Sequence, residues 1–222
     1  MNLYAYTAND PVNGVDPTGM AEIETTYTVT GSRTKRTASV TVDADYDNDG
    51  LDDLDAGQLD KLGKDYSGFI RRNDGANISN VDRPEVIQGD YATNTQAAFI
   101  DVATQFVSAA SMPLSDIWGG VQEIRVEAYD GSSRAPGRFD KRNKAGTTGI
   151  IRISLSFARN FSNGSALAHV IYHEALHPEY GRIGNTWAGH EWLDSAARTF
   201  IKRNGLNGGG CPTLPNFTWG GC

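Results

Sequence analysis

The sequence predicts an α+β domain, on three observations. Apolar residues recur at helical spacing in four stretches, they alternate at strand spacing in three others, and a chain of 222 residues fits one ordinary domain with short additions. The composition agrees: 39% hydrophobic, 21% charged and 25 glycines, with a mean hydropathy of −0.44, describe a water-compatible, loop-rich globule. A net charge of −7 and a sequence pI of about 5.0 argue against nucleic acid or an acidic membrane surface as partner. The one dense basic stretch, Ser32 to Arg36, is short and reads as a charged hairpin tip. No run approaches the roughly 18 apolar residues of a membrane span, and no signal peptide is visible.

Taken in order, residues 1–20 carry Asn-Asp-Pro and Asp-Pro-Thr-Gly turn signals and no helical period. Residues 22–44 alternate β-branched and polar side chains around Gly31-Ser32, the pattern of a hairpin. An acidic loop follows, and then Ala56 to Asn73 reads as one helix with Leu59, Leu62, Tyr66 and Ile70 on a single face. A second helix spans Asn94 to Ala110 and is stopped by Met112-Pro113. Residues 121–129 and 146–158 alternate as strands. Ser165 to His177 forms a strong helix ended by Pro178 and Gly181, and Glu191 to Arg203 forms the last one. Cys211 and Cys222 flank a Gly/Pro-rich tail; their spacing lacks the close pairs of zinc knuckles, and bridged or free thiols fit equally well.

The chemistry concentrates in the third helix. His173-Glu174-Ala175-Leu176-His177 fits H-E-x-x-H, in which two imidazoles one helical turn apart can grip a single cation. Glu174 follows the first ligand by one position, where its carboxylate can take a proton from an activated water. All four histidines of the chain, His169, His173, His177 and His190, fall between positions 169 and 190, which lifts the motif above chance. A hydrolytic zinc site takes three protein ligands and keeps one position open. His190 is the first candidate for the third, with Glu191 and then Asp194 as alternatives. Asp194 lies four residues past His190 and can instead orient an imidazole from behind, and His169, one turn before His173, suits a supporting role. Tyr172, Tyr180 and Arg182 are candidates to stabilise an oxyanion, though packing or surface roles suit them better.

The run from Asp43 to Asp55 places Asp45, Asp47, Asp49 and Asp53 at alternating positions around Gly50, with Leu51 offering its carbonyl. This resembles the calcium loop of EF-hand-like proteins, in the solitary bacterial form with a strand leading in. Ala56 stands where the bidentate Glu belongs, so affinity depends on Asp52 or Asp55 substituting. The competing reading is a solvated acidic turn that caps the next helix.

The first twenty residues resemble the end of the Rhs/YD-repeat core of polymorphic toxins, through Asn2, Leu3, Tyr4, Tyr6, Asn9, Pro11, Asp16, Pro17 and Gly19, with Met20 in place of the usual Leu. In that family the signature precedes a variable toxin domain that self-cleavage frees. The rest of the cage is missing here, so Asp10 and Asp16 are remnants rather than a working protease. The strands before the metal helix and the turn after it are similar to the zincin arrangement.

These resemblances imply four parts: residues 1–20 as the end of the Rhs core, 21–93 as hairpin, acidic calcium-type loop and helix, 94–210 as a zincin-like catalytic unit, and 211–222 as a Cys-flanked tail. They imply a zinc metallopeptidase toxin, a secreted effector delivered into a target cell, whose partners are a protein substrate there, a cognate immunity protein, and the Rhs core with its secretion machinery. A zinc amidase acting on a non-protein amide such as cell wall, and a non-catalytic metal-stabilised binding module, are the alternatives.

Overall fold

A computed structural model describes residues 19–112, 117–128, 136–158, 164–180 and 187–206. The chain is α+β, with two mixed sheets. The hairpin is present: β1 (Met20–Thr28) pairs antiparallel with β2 (Lys35–Asp43) from Met20↔Asp43 to Thr28↔Lys35. Gly31, at φ +82°, supplies the left-handed step of its turn. A two-residue strand, β3 (Ala76–Asn77), adds parallel to β2.

The helix expected over 56–73 is two helices, α1 (Ala56–Asp65) and α2 (Ser67–Arg72), broken at Tyr66. The break has a cause. Tyr66 is fully buried against Phe106, with ring centroids 4.2 Å apart, and its hydroxyl donates to the Gly164 carbonyl at 2.6 Å. Beyond it, the Phe69 N–H leaves the helical ladder to bond the Gly205 carbonyl. A continuous helix could not meet both partners.

The second sheet has the order β4-β5-β7-β6, from β4 (Glu85–Gln88), β5 (Val121–Glu127), β6 (Gly137–Lys141) and β7 (Gly149–Ser154). The first three of these positions run parallel, and β6 lies antiparallel at the edge. Between β4 and β5 the chain crosses over through α3 (Asn94–Ser111), as parallel neighbours require. A Thr93/Gln96 capping box starts α3, and the helix carries Phe99, Ile100, Val102 and Phe106 into the core. The strand expected over 146–158 stops at Ser154 and turns into a short helix, α4 (Leu155–Ala158).

The metal-motif helix, α5, runs Gly164–Tyr180, through Pro178 rather than ending at it. In the last turn a proline removes only one ladder bond, which the helix tolerates. Its first residue is held from behind: Asp65 accepts from the Gly164 N–H at 2.6 Å, while Gly164 O receives the Tyr66 hydroxyl. The closing helix, α6 (Trp187–Asn204), begins earlier than expected and packs beside α5.

Edge strand β6 rests on α5 through Gly137, where a Cβ would sit 2.4 Å from Val170 Cγ1 and 3.3 Å from Glu174 Cγ. Gly137→Ala is therefore expected to push the strand off the helix and lower unfolding free energy by about 1–3 kcal/mol. Urea denaturation of the two proteins measures this, and equal midpoints would mean that the contact relaxes freely.

Candidate metal centre

Three histidines of α5, His169, His173 and His177, stand one turn apart on one face. Alongside them α6 presents His190 in its first turn and Asp194 one turn later. The two helices thus form a ladder in which His190 meets His173 and His177, and Asp194 meets His169 and His173.

The ligand atoms of His173, His177 and His190 lie within 4.8 Å of one another. Their ring centroids are 5.4 Å (173 to 177), 5.5 Å (173 to 190) and 5.1 Å (177 to 190) apart. Three imidazoles bound tetrahedrally at ~2.0–2.1 Å would place their centroids about 5.2 Å apart, so the three rings already have the spacing of a closed zinc tripod. His173 and His177 are buried, whereas His190 is exposed, which leaves one side open to solvent. The donor set fits zinc: three nitrogens, and a carboxylate that is beside them without belonging to the cluster.

Electrostatics prepare these rings for a cation. Burial, and then the charges of His173 and His190, push the His177 imidazole down to about 3, so it stays neutral, the form that ligates. His190 is lowered as well, first by burial and next by His173, against the opposing pull of Asp194.

Glu174 is 5% exposed and sits 3.4 Å, Oε2 to Nε2, from His177. Burial pushes its carboxyl up to about 7; the charge of His173 and a hydrogen bond from the Phe139 N–H pull it down, and Asp194 and Asp140 push it further up. Phe139 also stacks on His177, with centroids 6.1 Å apart and planes 2° from parallel. Gly137 and Phe139 are site residues that sequence reasoning missed, because a five-residue Gly-Arg-Phe-Asp-Lys strand shows no apolar alternation.

Asp194 lies behind the cluster. Its Oδ1 receives His169 Nε2 at 3.1 Å and lies 3.0 Å from His173 Nδ1, a charge contact outside hydrogen-bond geometry. Burial raises its carboxyl, yet the hydrogen bonds and charges of the two histidines outweigh that and hold it well below the usual carboxylate range. Glu191 is exposed and outside the cluster. Tyr172 stacks on Phe200 at 3.8 Å and Tyr180 meets Trp192 at 4.3 Å. Both tyrosines line a groove of about 480 Å³ whose walls include none of the four histidines. Arg182, Cys211 and Cys222 lie outside the described residues, as do residues 1–18 of the Rhs-like signature.

In the acidic loop, Asp45, Asp47 and Asp53 bring carboxylate oxygens within 4.8 Å of one another. Asp49 is not among them and accepts from the Leu51 N–H at 2.9 Å, and Leu51 is 60% exposed. Asp55 does not substitute for the missing bidentate Glu, because it is the N-cap of α1, in a capping box with Gln58. The loop therefore caps the next helix and also gathers three carboxylates. Burial raises the Asp53 carboxyl, against a hydrogen bond from the Tyr46 N–H, and the charge of Asp47 raises it further.

Comparison of the chain with protein-family models, with curated proteins and with solved structures gives no match.

With this geometry, His190→Ala is expected to weaken zinc binding by more than about 100-fold, beyond the roughly 10–100-fold that supporting residues account for, while Glu191→Ala changes it little. Competition against a chromogenic chelator measures both. A larger loss in Glu191→Ala would move the third ligand to that carboxylate.

Proposed function

We propose that the chain is a zinc-dependent metallopeptidase with a zincin-like catalytic unit. The observation that carries this reading is the buried Glu174 carboxylate, held beside three imidazoles that already have the spacing of a metal tripod. Zinc bound by His173, His177 and His190 would supply Lewis acidity, polarising a carbonyl and acidifying water. Glu174 is the proton carrier. It takes a proton from the attacking water as the new C–O bond forms, and it returns that proton to the amide nitrogen as the C–N bond breaks. Burial raises this carboxyl in the metal-free site, and a cation on the three imidazoles would draw it back toward the charged form that a base needs. The Phe139 N–H orients the carboxylate, and Asp194 orients His173.

The edge strand favours a peptide over a small amide. Ser154 N–H to Pro136 O and Arg142 N–H to Thr148 O fix the β6–β7 ladder, so by antiparallel alternation the backbone groups of Gly137, Phe139 and Lys141 point away from β7. The Phe139 N–H is taken by Glu174; the Phe139 carbonyl and the Lys141 amide and carbonyl face outward. An extended chain can add there as a further strand, beside the general base. A small amide without an extended backbone has nothing to pair with such an edge.

The Rhs-like leader, residues 1–20, supports a toxin domain of an Rhs-type effector, secreted and delivered into a target cell where it cleaves a protein. A cognate immunity protein and the Rhs core with its secretion machinery are the partners this reading entails. Among the described residues, no helix is long and apolar enough to cross a membrane. The acidic loop is assigned structural calcium, held by Asp45, Asp47 and Asp53, the three carboxylates that meet there.

Glu174→Gln is expected to keep zinc and fold while proteolysis, read as new N-termini in a bacterial proteome, falls by about 10²–10⁴-fold. Undiminished cleavage would remove Glu174 from the chemistry, and toxicity retained without cleavage would favour a binding module. Millimolar calcium is expected to raise the melting temperature by several degrees; an unchanged melting curve would leave the loop as a helix cap alone.

A further inference from the structure

We infer that His169 is a positioning residue of the metal centre: its Nε2–H holds Asp194 in the one orientation that locks the His173 ring. The inference rests on the reading of His173, His177 and His190 as metal ligands.

The geometry is a three-residue chain across two helices. His169 and His173, stacked at 6.4 Å on α5, both address the same oxygen, Oδ1 of Asp194 on α6, at 3.1 and 3.0 Å. The other oxygen, Oδ2, lies 4.0 Å from Arg198, four residues further along α6. Asp194 is therefore drawn in two directions, toward α5 by the two imidazoles and along its own helix by a guanidinium. With its side chain 9% exposed, it has little water to replace a lost partner.

The orientation matters because an imidazole has one proton to place. A carboxylate at Nδ1 keeps the proton of His173 on that nitrogen and leaves the Nε2 lone pair bare toward His177 and His190. Take away His169, and Arg198 competes for Asp194 against a single remaining histidine. The carboxylate can then swing along α6, and His173 is freed to rotate or to move its proton to Nε2, where it blocks ligation.

A second cation site formed by His169 Nε2, His173 Nδ1 and Asp194 is the competing assignment, since those atoms also lie within 4.8 Å of one another. It would require His173 to surrender its only ring proton while serving the first site as well. Two N–H donors on one carboxylate need no such step.

The test uses the full chain, stripped of metal, in four forms: wild type, His169→Ala, His169→Gln and His169→Asn. Zinc affinity is read by chelator competition, and the tautomer of His173 by nitrogen NMR. His169→Ala is expected to weaken zinc by about 10–100-fold and to populate the Nε2–H tautomer of His173. His169→Gln, whose amide nitrogen reaches the place of Nε2, is expected to recover most of the affinity, and His169→Asn, whose nitrogen falls at the place of Nδ1, to recover little. Wild-type affinity and tautomer in His169→Ala would overturn the inference even if the melting temperature fell, since His169 would then be only structural. So would two equivalents of zinc on the wild type with the second lost in His169→Ala. A wild type that binds no zinc would sink the metal reading, and this inference with it, whereas normal wild-type binding with an unaffected His169→Ala leaves that reading standing.

Discussion

The site depends on one piece of packing, the seating of α6 beside α5. A helix can place two imidazoles one turn apart from its own periodicity, but a third nitrogen and a supporting carboxylate must come from elsewhere in the chain. α6 supplies both, one turn apart, so His190 and Asp194 meet the α5 histidines rung by rung. If α6 slid by a single residue, its face would turn by roughly 100° and the ladder would be lost. Leu193, Ala197 and Ile201, buried one turn apart, mark the face by which α6 is seated.

Around this pair the rest of the fold acts as a clamp. Asp65 and Tyr66 hold the first residue of α5, and the break that separates α1 from α2 exists to bring them there. On the other side β6 comes close enough to lend a backbone N–H to Glu174, which Gly137 permits by having no side chain. Burial has opposite effects on the two kinds of group. It lowers His177 and His190, which favours the neutral ring that ligates, and it raises the Glu174 carboxyl.

What could be read from the sequence follows from how local each feature is. The hairpin, α3 and the metal helix were legible because apolar spacing and turn residues act within a few positions. The H-E-x-x-H motif was legible for the same reason, and His190 could be singled out because the chain has so few histidines. The continuous helix over 56–73 failed because Tyr66 answers to Gly164 and Phe106, far away in sequence. The strand over 146–158 failed at Ser154, whose last ladder bond goes to Pro136. β6 had no signal at all: a short edge strand with Arg, Asp and Lys in it reads as loop until β7 and α5 are in place. Asp194 was legible only as a set of alternatives, since the same carboxylate can ligate or support, and its meeting with His169 and His173 depends on how α6 seats against α5.

The claim at the centre is that three ring nitrogens share one metal ion. X-ray absorption on the zinc-loaded full chain tests it directly. Three imidazole nitrogens at ~2.0–2.1 Å with one exchangeable oxygen would be the expected shell. A shell containing sulfur, one lacking imidazole scattering, or zinc that washes out on dialysis would contradict it.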